Sequence, residues 1–487
     1  MILERYYHEA TNGGEQQILR SFKFPSGSSA QVQCDEDTTS LKNDLSCLAN
    51  YGAEIEPFII THGRGAYVYT ESGQRILDWT SGQMSCLLGH SHPEVVEVIK
   101  AYAETLIHTS SCMVSPPVIR LAKRLTSILP PGLDRAVFLN TGSESNEAAI
   151  RLAKTYTGRF EVVGLGQSWH GMTSGAQGAQ YQAGRRGHGM KNFSSRNPKL
   201  TGLGPSPPGQ HMLPQPNAYR SIFRHKDGTY DWESELNYGW SLIDEASYGS
   251  IAACLVECVQ GDGGIHVLPP GYLKALKSHC ERRGILLIVD EAQTGLCRTG
   301  ELFGIDHDKV VPDILTLSKP LGNGLPISAM VTSAKIDQAA KEKGFLFFTT
   351  HANDPLVAAV GEKVLEIATR EDLLENVRAR SQQLHAGLHR LKDRYGCIGD
   401  VRGIGLMKGI EIVSDRESKE PAAELAKQLS KAMLQRGLWC QLQSQRVFRI
   451  GMPITSTEQE IEEGLDILEE AFNTTANTQP LFKVESG

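Results

Sequence analysis

Short apolar runs alternate with helical stretches from about residue 94 onward. Successive positions in each run are apolar, which is typical of a strand that is buried on both faces. Strands of this kind, separated by helices, predict an α/β fold whose large sheet is mostly parallel and lies between helices. The predicted strands cover residues 136–139, 162–165, 252–256, 285–289, 314–317 and 327–331.

The two ends of the chain carry a different pattern. Near the N-terminus, AYVYT and RILDWT flank a turn at residues 72–73 and predict a hairpin. From about residue 371 a helix, strands at 407–413 and 447–450, and an amphipathic helix near 457–472 follow. We therefore expect a smaller α+β domain from both chain ends. The predicted divisions are an N-terminal extension that is poorly ordered (1–45), the first part of the small domain (46–93), the large domain (94–370), the rest of the small domain (371–475) and a tail (476–487).

One long polar segment interrupts the alternation. Residues 185–218 are rich in Gly, Pro, Ser and basic side chains, and we expect them to form a single loop. Loops of this length are often functional or mobile.

Composition and charge exclude several classes of protein. The 487 residues are 40% hydrophobic and 22% charged, which is ordinary for a globular protein. A net charge of −7 argues against a nucleic-acid-binding surface, because such a surface requires a basic stripe. No run of eighteen apolar residues occurs, so we expect no membrane span. Ten scattered cysteines without a Cys-x-x-Cys pair, and an N-terminus without a signal-peptide pattern, predict a cytoplasmic protein.

Three polar groups stand where predicted strands end. ILLIVD ends in Asp290, DILTL leads into Lys319, and FLNTGSES places Thr141, Gly142 and Ser143 at a helix start. Each has a structural alternative: Asp290 and Ser143 as plain helix caps, and Lys319 as a structural lysine. Together they supply a partner for a protonated pyridine nitrogen, an amine for an aldehyde and an anion site. Pyridoxal 5'-phosphate requires these three things, so the combination predicts that cofactor.

Eight segments of the chain resemble those of one family. They are TSGQMSCLLGHSHPEV, PPGLDRAVFLNTGSESNEAAIRLAK, GQSWHGMTSGA, LLIVDEAQTG, DILTLSKPLGNGLP, FTTHANDPL, CIGDVRGIGL and VFRIGMPIT. On these segments, which span roughly residues 49–472, the chain resembles the class III aminotransferases. Those enzymes use pyridoxal 5'-phosphate and have the aspartate aminotransferase fold (fold type I). Within the family, the chain is most similar to the 2,2-dialkylglycine decarboxylases.

The resemblance implies a role for each residue of the cofactor site. Lys319 corresponds to the Schiff-base lysine, and Asp290 to the partner of the pyridine nitrogen. Gln293 would bond the 3'-oxygen of the ring, and Trp169 would stack on the ring face. The phosphate would be held by Thr141, Gly142, Ser143 and, across a subunit interface, Thr350. The resemblance therefore implies a homodimer or homotetramer with shared active sites.

The resemblance also implies substrate and metal contacts. Arg449 corresponds to the arginine that binds a substrate carboxylate, and Gln83 to the side chain that holds a departing carboxylate. Ser85 would lie beside Gln83, and Met172 would line a small alkyl pocket. A potassium or sodium ion would be bound by Ser111, Thr350 and Asp354, with the carbonyls of Thr109 and Ala352.

Several positions depart from the decarboxylase pattern. Pro320 follows the lysine where a threonine is expected, and the segment after Glu257 reads CVQGDGG. Asp262 thereby replaces a serine near the substrate, where a carboxylate would repel an acidic substrate. The segment at 191–213 is longer than in the decarboxylases, and the first 45 residues have no counterpart there. These changes bear on substrate size and charge, and they leave the cofactor residues in place.

Three functions are compatible with these residues. The favoured one is a decarboxylation-dependent transaminase that acts on 2,2-dialkylglycines, such as 2-aminoisobutyrate, with a 2-keto acid as amino acceptor. Gln83 favours this function. The alternative is an ordinary class III aminotransferase of a biosynthetic pathway, which Asp262 and Pro320 keep open. The third is a cofactor-binding protein without catalysis, against which Lys319 and Arg449 argue.

Overall fold

The computed structural model describes residues 44–49, 55–56, 58–180 and 207–476. Residues 1–43 of the predicted extension, 185–206 of the polar segment and 477–487 of the predicted tail lie outside these residues. No helix in the described part of the chain is both long enough and apolar enough to cross a membrane.

Strands and helices alternate through most of the described residues. The strands are β1 (Ile60–Arg64), β2 (Tyr67–Thr70), β3 (Arg75–Asp78), β4 (Arg135–Leu139), β5 (Glu161–Leu165), β6 (Gln210–Leu213), β7 (Ile251–Glu257), β8 (Val259–Gln260), β9 (His266–Val267), β10 (Leu286–Asp290), β11 (Ile314–Leu317), β12 (Ser328–Thr332), β13 (Ile398–Ile404), β14 (Met407–Ile412), β15 (Leu438–Trp439), β16 (Gln441–Gln443) and β17 (Val447–Gly451). The helices are α1 (Pro93–Thr105), α2 (Pro116–Ile128), α3 (Gly142–Thr157), α4 (Ser174–Gly178), α5 (Trp232–Ala246), α6 (Tyr272–Arg283), α7 (Ala334–Glu342), α8 (Pro355–Ala368), α9 (Glu371–Arg394), α10 (Ala423–Gln435) and α11 (Glu458–Ala476). Short helical turns lie at Asp44–Cys47, Ser81–Met84, Gly304–His307 and Lys319–Gly322.

A seven-stranded sheet forms the centre of the fold, in the order β4-β12-β11-β10-β7-β5-β6. β10 is parallel to β7 and β11, and β5 is parallel to β7 and β6. β12 is antiparallel to both β11 and β4. Every residue of β5, β7, β10, β11 and β12 is buried, so both faces of the sheet are covered. The predicted mostly parallel α/β sheet is confirmed.

The edge strand β6 corrects the prediction of one loop over residues 185–218. Its four residues pair in parallel with β5, with Gln210 opposite Val162 and Leu213 opposite Leu165. The sequence QHML is short and partly exposed, so it has neither the length nor the apolar pattern of the inner strands. Its strand conformation comes from backbone pairing with β5, which residue pattern alone does not predict.

Two smaller sheets are built from the chain ends. One has the order β1-β2-β3-β15, in which Leu438 of the C-terminal region pairs with Leu77 of the N-terminal region. The other is antiparallel, with the order β13-β14-β17-β16. A Cβ at Gly464 would lie 2.1 Å from the ring of the buried Trp79, so this glycine permits α11 to pack on the N-terminal segment. The two chain ends therefore share one folded region, while the domain boundaries stay a prediction.

The direction of the strands decides which loops meet. β4, β5, β10 and β11 point the same way, because β12 is antiparallel to both of its neighbours. Parallel strands end at one edge of a sheet, and ligands of open α/β sheets bind beyond that edge. The segments that carry the predicted cofactor residues follow these four strands, so the topology brings them to the same edge.

Candidate active site

A cavity of about 340 Å³ opens at this carboxyl edge, and we call it the strand-end cavity. Its volume is in the range of small-molecule sites. Its walls bring together seven of the predicted residues: Ser85, Thr141, Gly142, Ser143, Trp169, Asp290 and Lys319. The other lining residues are Asn140, Asn146, His170, Gly171, Ala292, Ser318, Gly324, Leu325, Pro326 and Ile327.

The N-terminus of α3 forms one wall of the cavity. Thr141 is its N-cap: the side-chain oxygen accepts from Glu144 N at 3.2 Å, and the Glu144 carboxylate accepts from Thr141 N at 3.2 Å. The alternative that Ser143 is a plain cap is wrong, because its Oγ accepts from Met172 N at 2.8 Å. Gly142 and Ser143 thus line the cavity at the positive end of the helix dipole, which favours an anion.

Gly142 permits the close approach of α3 to the segment after β11. A Cβ at this position would lie 2.8 Å from Ser318 Oγ, so a larger residue would require the Ser318 side chain to move. The glycine therefore allows the helix N-terminus to lie against the segment that leads into Lys319.

Asp290 lies at the end of β10 and is held by three donors. Its carboxylate accepts from Asn146 Nδ2 at 2.7 Å, from His170 Nδ1 at 2.9 Å and from Ala292 N at 3.0 Å. Burial disfavours the charged carboxylate, but the hydrogen bond and charge of His170 and the charge of Lys319 outweigh it and lower the pKa of Asp290 below 3.8. The floor of the cavity is therefore a fixed negative charge.

Lys319 follows β11 and begins a helical turn, Lys319–Gly322. Its side chain is half-buried and lines the cavity. Its charge contributes to the lowered pKa of Asp290 across the cavity. An amine, a carboxylate and a helix N-terminus therefore line one cavity.

Trp169 is positioned by a buried carboxylate. Its backbone N–H donates to Glu257 Oε1 at 3.0 Å, while Glu257 Oε2 accepts from Gly261 N at 3.1 Å. Burial raises the pKa of Glu257 to about 7. Because Glu257 bonds the segments after both β5 and β7, it ties Trp169 to the segment that carries Asp262.

Arg449 and Asp262 form an ion pair beside this region. Arg449 Nη1 donates to Asp262 Oδ1 at 3.0 Å, and the exposed fractions of the two side chains are 2% and 13%. Gln443 Nε2 donates to Asp262 at 2.6 Å, and Gln293 Nε2 donates to it at 3.3 Å. Arg449 Nη2 also donates to Gln441. The carboxylate expected to repel substrate instead neutralises the predicted substrate-binding arginine.

Other predicted residues lie away from the cavity walls. Gln83, Met172 and Thr350 are exposed, and Ser111 is half-exposed. Asp354 is buried, and its oxygens accept from His108 and His351. Of the predicted cofactor residues, Gln293 and Thr350 do not line the cavity. Of the predicted substrate residues, Ser85 lines it, whereas Gln83, Met172 and Arg449 do not. The predicted alkali-metal residues also lie outside the cavity walls.

Asn146 and His170 were missed as site residues. Both are buried, both bond Asp290, and Asn146 also donates to the carbonyl of His170 at 2.9 Å and accepts from Thr316 Oγ1 at 2.7 Å. The position of Asn146 one turn after Gly142, on the side of α3 that carries buried Ala149 and Ala153, was a signal that it faces the sheet.

Comparisons with known proteins agree with this geometry. The sequence model described as Aminotransferase class-III matches residues 49–472. An uncharacterized aminotransferase of Schizosaccharomyces pombe is 45% identical, and the match covers 88% of this chain and 93% of that protein. An acetylornithine aminotransferase of Caldanaerobacter subterraneus is 34% identical, over 86% of this chain and 95% of that protein.

A solved structure is also similar. A thermostable (S)-enantioselective omega-transaminase from Thermomicrobium roseum superposes with a TM-score of 0.80 and 30% identity, over 90% of this chain and 99% of that chain. The predicted family and fold type are confirmed, while the finer similarity to 2,2-dialkylglycine decarboxylases stays a prediction. The chain belongs to the class III aminotransferase family.

Proposed function

We propose that the strand-end cavity binds pyridoxal 5'-phosphate and that the chain transfers an amino group between an amino acid and a 2-keto acid. The donor set fits this cofactor: the N-terminus of α3 suits its phosphate, Asp290 suits a protonated ring nitrogen, and Lys319 supplies an amine for its aldehyde. When bound, the cofactor supplies an electron-withdrawing ring that stabilises negative charge at the substrate's α-carbon.

Each residue of the cavity would contribute one action. Asp290 would hold its negative charge against the ring nitrogen, and Asn146 and His170 would hold the carboxylate in place. Lys319 Nζ would anchor the cofactor and then move a proton to and from the substrate's α-carbon. Trp169 would cover the ring face and exclude water. Gln293 would bond the 3'-oxygen of the ring from the segment after β10.

The buried Arg449–Asp262 pair is the observation that favours one reaction over the other. A substrate carboxylate that binds Arg449 has to displace Asp262, whereas an amine without a nearby carboxylate leaves the pair closed. A buried arginine stays neutralised in both situations, which avoids the large cost of an isolated buried charge. The pair therefore supports the binding of ligands with and without a carboxylate at the same arginine, such as a keto-acid acceptor and an amine donor, and this favours ordinary transamination.

Asp262→Ala is expected to change substrate preference. With the competing carboxylate removed, Arg449 binds carboxylate substrates more readily, while amines without a carboxylate leave a buried charge without its partner. The ratio of kcat/KM for L-amino acids to kcat/KM for simple primary amines should rise at least about 10-fold. Steady-state kinetics with both donor classes measures this ratio.

Gln443→Ala is the control for this prediction. It removes a hydrogen bond to the same carboxylate without changing charge, and it should leave the ratio near that of the wild type. An unchanged ratio in Asp262→Ala would contradict the assigned role of the pair.

Decarboxylation of 2,2-dialkylglycines is the second candidate, and the placement of the SGQMS segment supports it. Ser85 lines the strand-end cavity. Ser81 Oγ and Arg298 Nη1 both donate to the carbonyl of Gly451, at 2.7 and 2.8 Å, so the segment is attached to the end of the strand that carries Arg449. Gln83 is exposed in this arrangement. It would have to turn into the cavity to hold a departing carboxylate.

Product analysis separates the two candidates. The holoenzyme is incubated with 2-oxoglutarate as acceptor and either L-alanine, a primary amine or 2-aminoisobutyrate as donor, and CO2 and the keto product of the donor are measured. We expect keto acid from alanine without CO2 from 2-aminoisobutyrate. If CO2 appears, Gln83→Ala should slow its release about 10²-fold and slow alanine turnover much less. CO2 release that depends on Gln83 would replace ordinary transamination with the decarboxylase function.

Assembly, location and alkali-metal binding remain proposals. We propose a homodimer or homotetramer, because the segment that carries Thr350 also exposes Leu346 and Phe348, with exposed fractions of 70% and 67%. Sedimentation of the purified chain distinguishes these states. A cytoplasmic location and a potassium or sodium ion at Ser111, Thr350 and Asp354 stay predictions.

A further inference from the structure

Two imidazoles meet one carboxylate where the segment between α1 and α2 contacts the segment before α8. His108 Nδ1 donates to Asp354 Oδ1 at 2.6 Å, and His351 Nδ1 donates to Asp354 Oδ2 at 2.6 Å. The ring centroids are 4.8 Å apart, and one ligand atom from each side chain lies within 4.8 Å of the other two. We propose that these three side chains, the His–His–Asp cluster, bind a divalent transition-metal ion such as Zn²⁺.

The backbone position of Asp354 argues against a purely structural role. Asp354 is the N-cap of α8, where an aspartate ordinarily accepts hydrogen bonds from the first N–H groups of the helix. Its side chain makes no such bond. Both carboxylate oxygens are instead directed to the imidazoles, so the helix forgoes a capping interaction while the cluster is assembled.

The second imidazole distinguishes this cluster from the other histidine–carboxylate pairs. Asp78, Asp290 and Glu161 each bond a single histidine, at 2.9, 2.9 and 3.0 Å. A single hydrogen bond of this kind is enough to orient either the carboxylate or the histidine ring. Among the described residues, the His–His–Asp cluster is the group in which three potential ligand atoms converge.

The ligand types favour a borderline metal ion. Imidazole nitrogen suits zinc, copper and nickel, whereas potassium and sodium are hard cations that take oxygen ligands. Zinc binds nitrogen at about 2.0–2.1 Å, and three protein ligands leave a fourth position for water. Binding would require each Nδ1 to lose the proton that it directs at Asp354, and each neutral ring would then carry its proton on Nε2. In the single chain the imidazoles are 42% and 57% exposed and have room to shift by the small amount required, while the carboxylate, 11% exposed, anchors the site.

This cluster competes with the predicted alkali-metal site, because both use Asp354. The alkali site would need the carboxylate together with Ser111 and Thr350, yet both carboxylate oxygens are already bonded to imidazoles. The two proposals therefore differ in which cation the protein binds, and a titration with each cation separates them.

The test is calorimetric titration of the full-length protein, loaded with pyridoxal 5'-phosphate and freed of metal by chelation. Zinc chloride should give one saturating event, which His108→Ala and His351→Ala each weaken at least about 10²-fold. His225→Ala is the matched control: His225 is 55% exposed and lies 3.8 Å from Asp231, without a second imidazole. It should keep the wild-type affinity. Zinc bound by cysteines is common to all variants and cancels in the comparison.

Two outcomes overturn the proposal. One is equal zinc affinity in the wild type and in the double variant that lacks both imidazoles. The other is saturable binding of potassium chloride by the wild type with no zinc event, which would assign Asp354 to the alkali-metal site. Thermal unfolding and sedimentation should match the wild type in each variant, so loss of zinc binding reports the site itself and not a change in fold or assembly.

Discussion

Lys319→Ala is expected to abolish amino transfer, with a loss in kcat on the order of 10⁴-fold or more. Lys319 is the amine in the wall of the strand-end cavity, and its charge acts on Asp290. Its removal deletes both the anchor of the cofactor's aldehyde and the group that moves the α-proton. The measurement is single-turnover conversion of L-alanine, with the visible absorbance of the cofactor-loaded protein as a second readout.

Two controls make this prediction specific. Lys319→Arg keeps the positive charge beside Asp290 but cannot anchor the aldehyde, so its activity should stay near that of the alanine variant. Lys408 is the rival lysine: it is 3% exposed, and burial lowers its pKa to about 8. Its Nζ donates to the carbonyl of Gly403, and it does not line the cavity. Lys408→Met should therefore retain turnover. If Lys319→Ala kept full activity, or if Lys408→Met lost activity while Lys319→Ala did not, the assignment of Lys319 would be wrong.

Asp290→Asn is expected to lower kcat about 10³-fold, by analogy with the loss of a single preorganised group that stabilises charge in a transition state. An amide at this position cannot hold the ring nitrogen in its protonated form, and without that proton the ring withdraws electrons poorly. Asp313→Asn is the matched control. Asp313 precedes β11 at the opposite edge of the sheet, where it bonds Lys277 Nζ and Leu287 N, both at 2.8 Å. Its replacement should leave turnover close to that of the wild type. Similar losses in both variants would point to a general stability effect.

The same substitution should alter the dependence of stability on pH. Because the pKa of Asp290 in the folded protein lies below the ordinary 3.8, its charged form stabilises the fold above pH 3.8. That contribution is lost as the pH falls from 3.8 through the folded-state pKa. The difference in free energy of unfolding between wild type and Asp290→Asn should therefore shrink below pH 3.8. A constant difference down to lower pH would contradict the lowered pKa.

The inner strands were predictable because a short run of mostly apolar residues in the local sequence indicates a strand that is buried on both faces. The predicted strand at 314–317 has the same bounds in the structure, and the one at 162–165 differs by a single residue. Both strands are buried along their whole length, and most of their residues are apolar. β6 lacks this signal, because an edge strand buries little and is defined by pairing with β5.

The sequence by itself determined the strand-end chemistry of this protein. Asp290, Lys319 and the Thr141–Gly142–Ser143 run directly follow buried strands, and parallel strands bring such positions to one edge whatever the rest of the fold does. The local pattern was therefore enough to predict the cofactor.

Only the tertiary structure decided what surrounds that chemistry. Asp262 and Arg449 are 187 positions apart, and His108 and Asp354 are 246 apart. Residue type marks each of these side chains as charged or polar, yet its partner depends on how the sheets and connecting segments are arranged. Because Asp262 is an acidic residue, it was expected to repel an acidic substrate. Only its contact with Arg449 shows that it neutralises a buried charge. Coulombic and hydrogen-bonding effects act over a few ångströms in space, and distance along the chain does not report them.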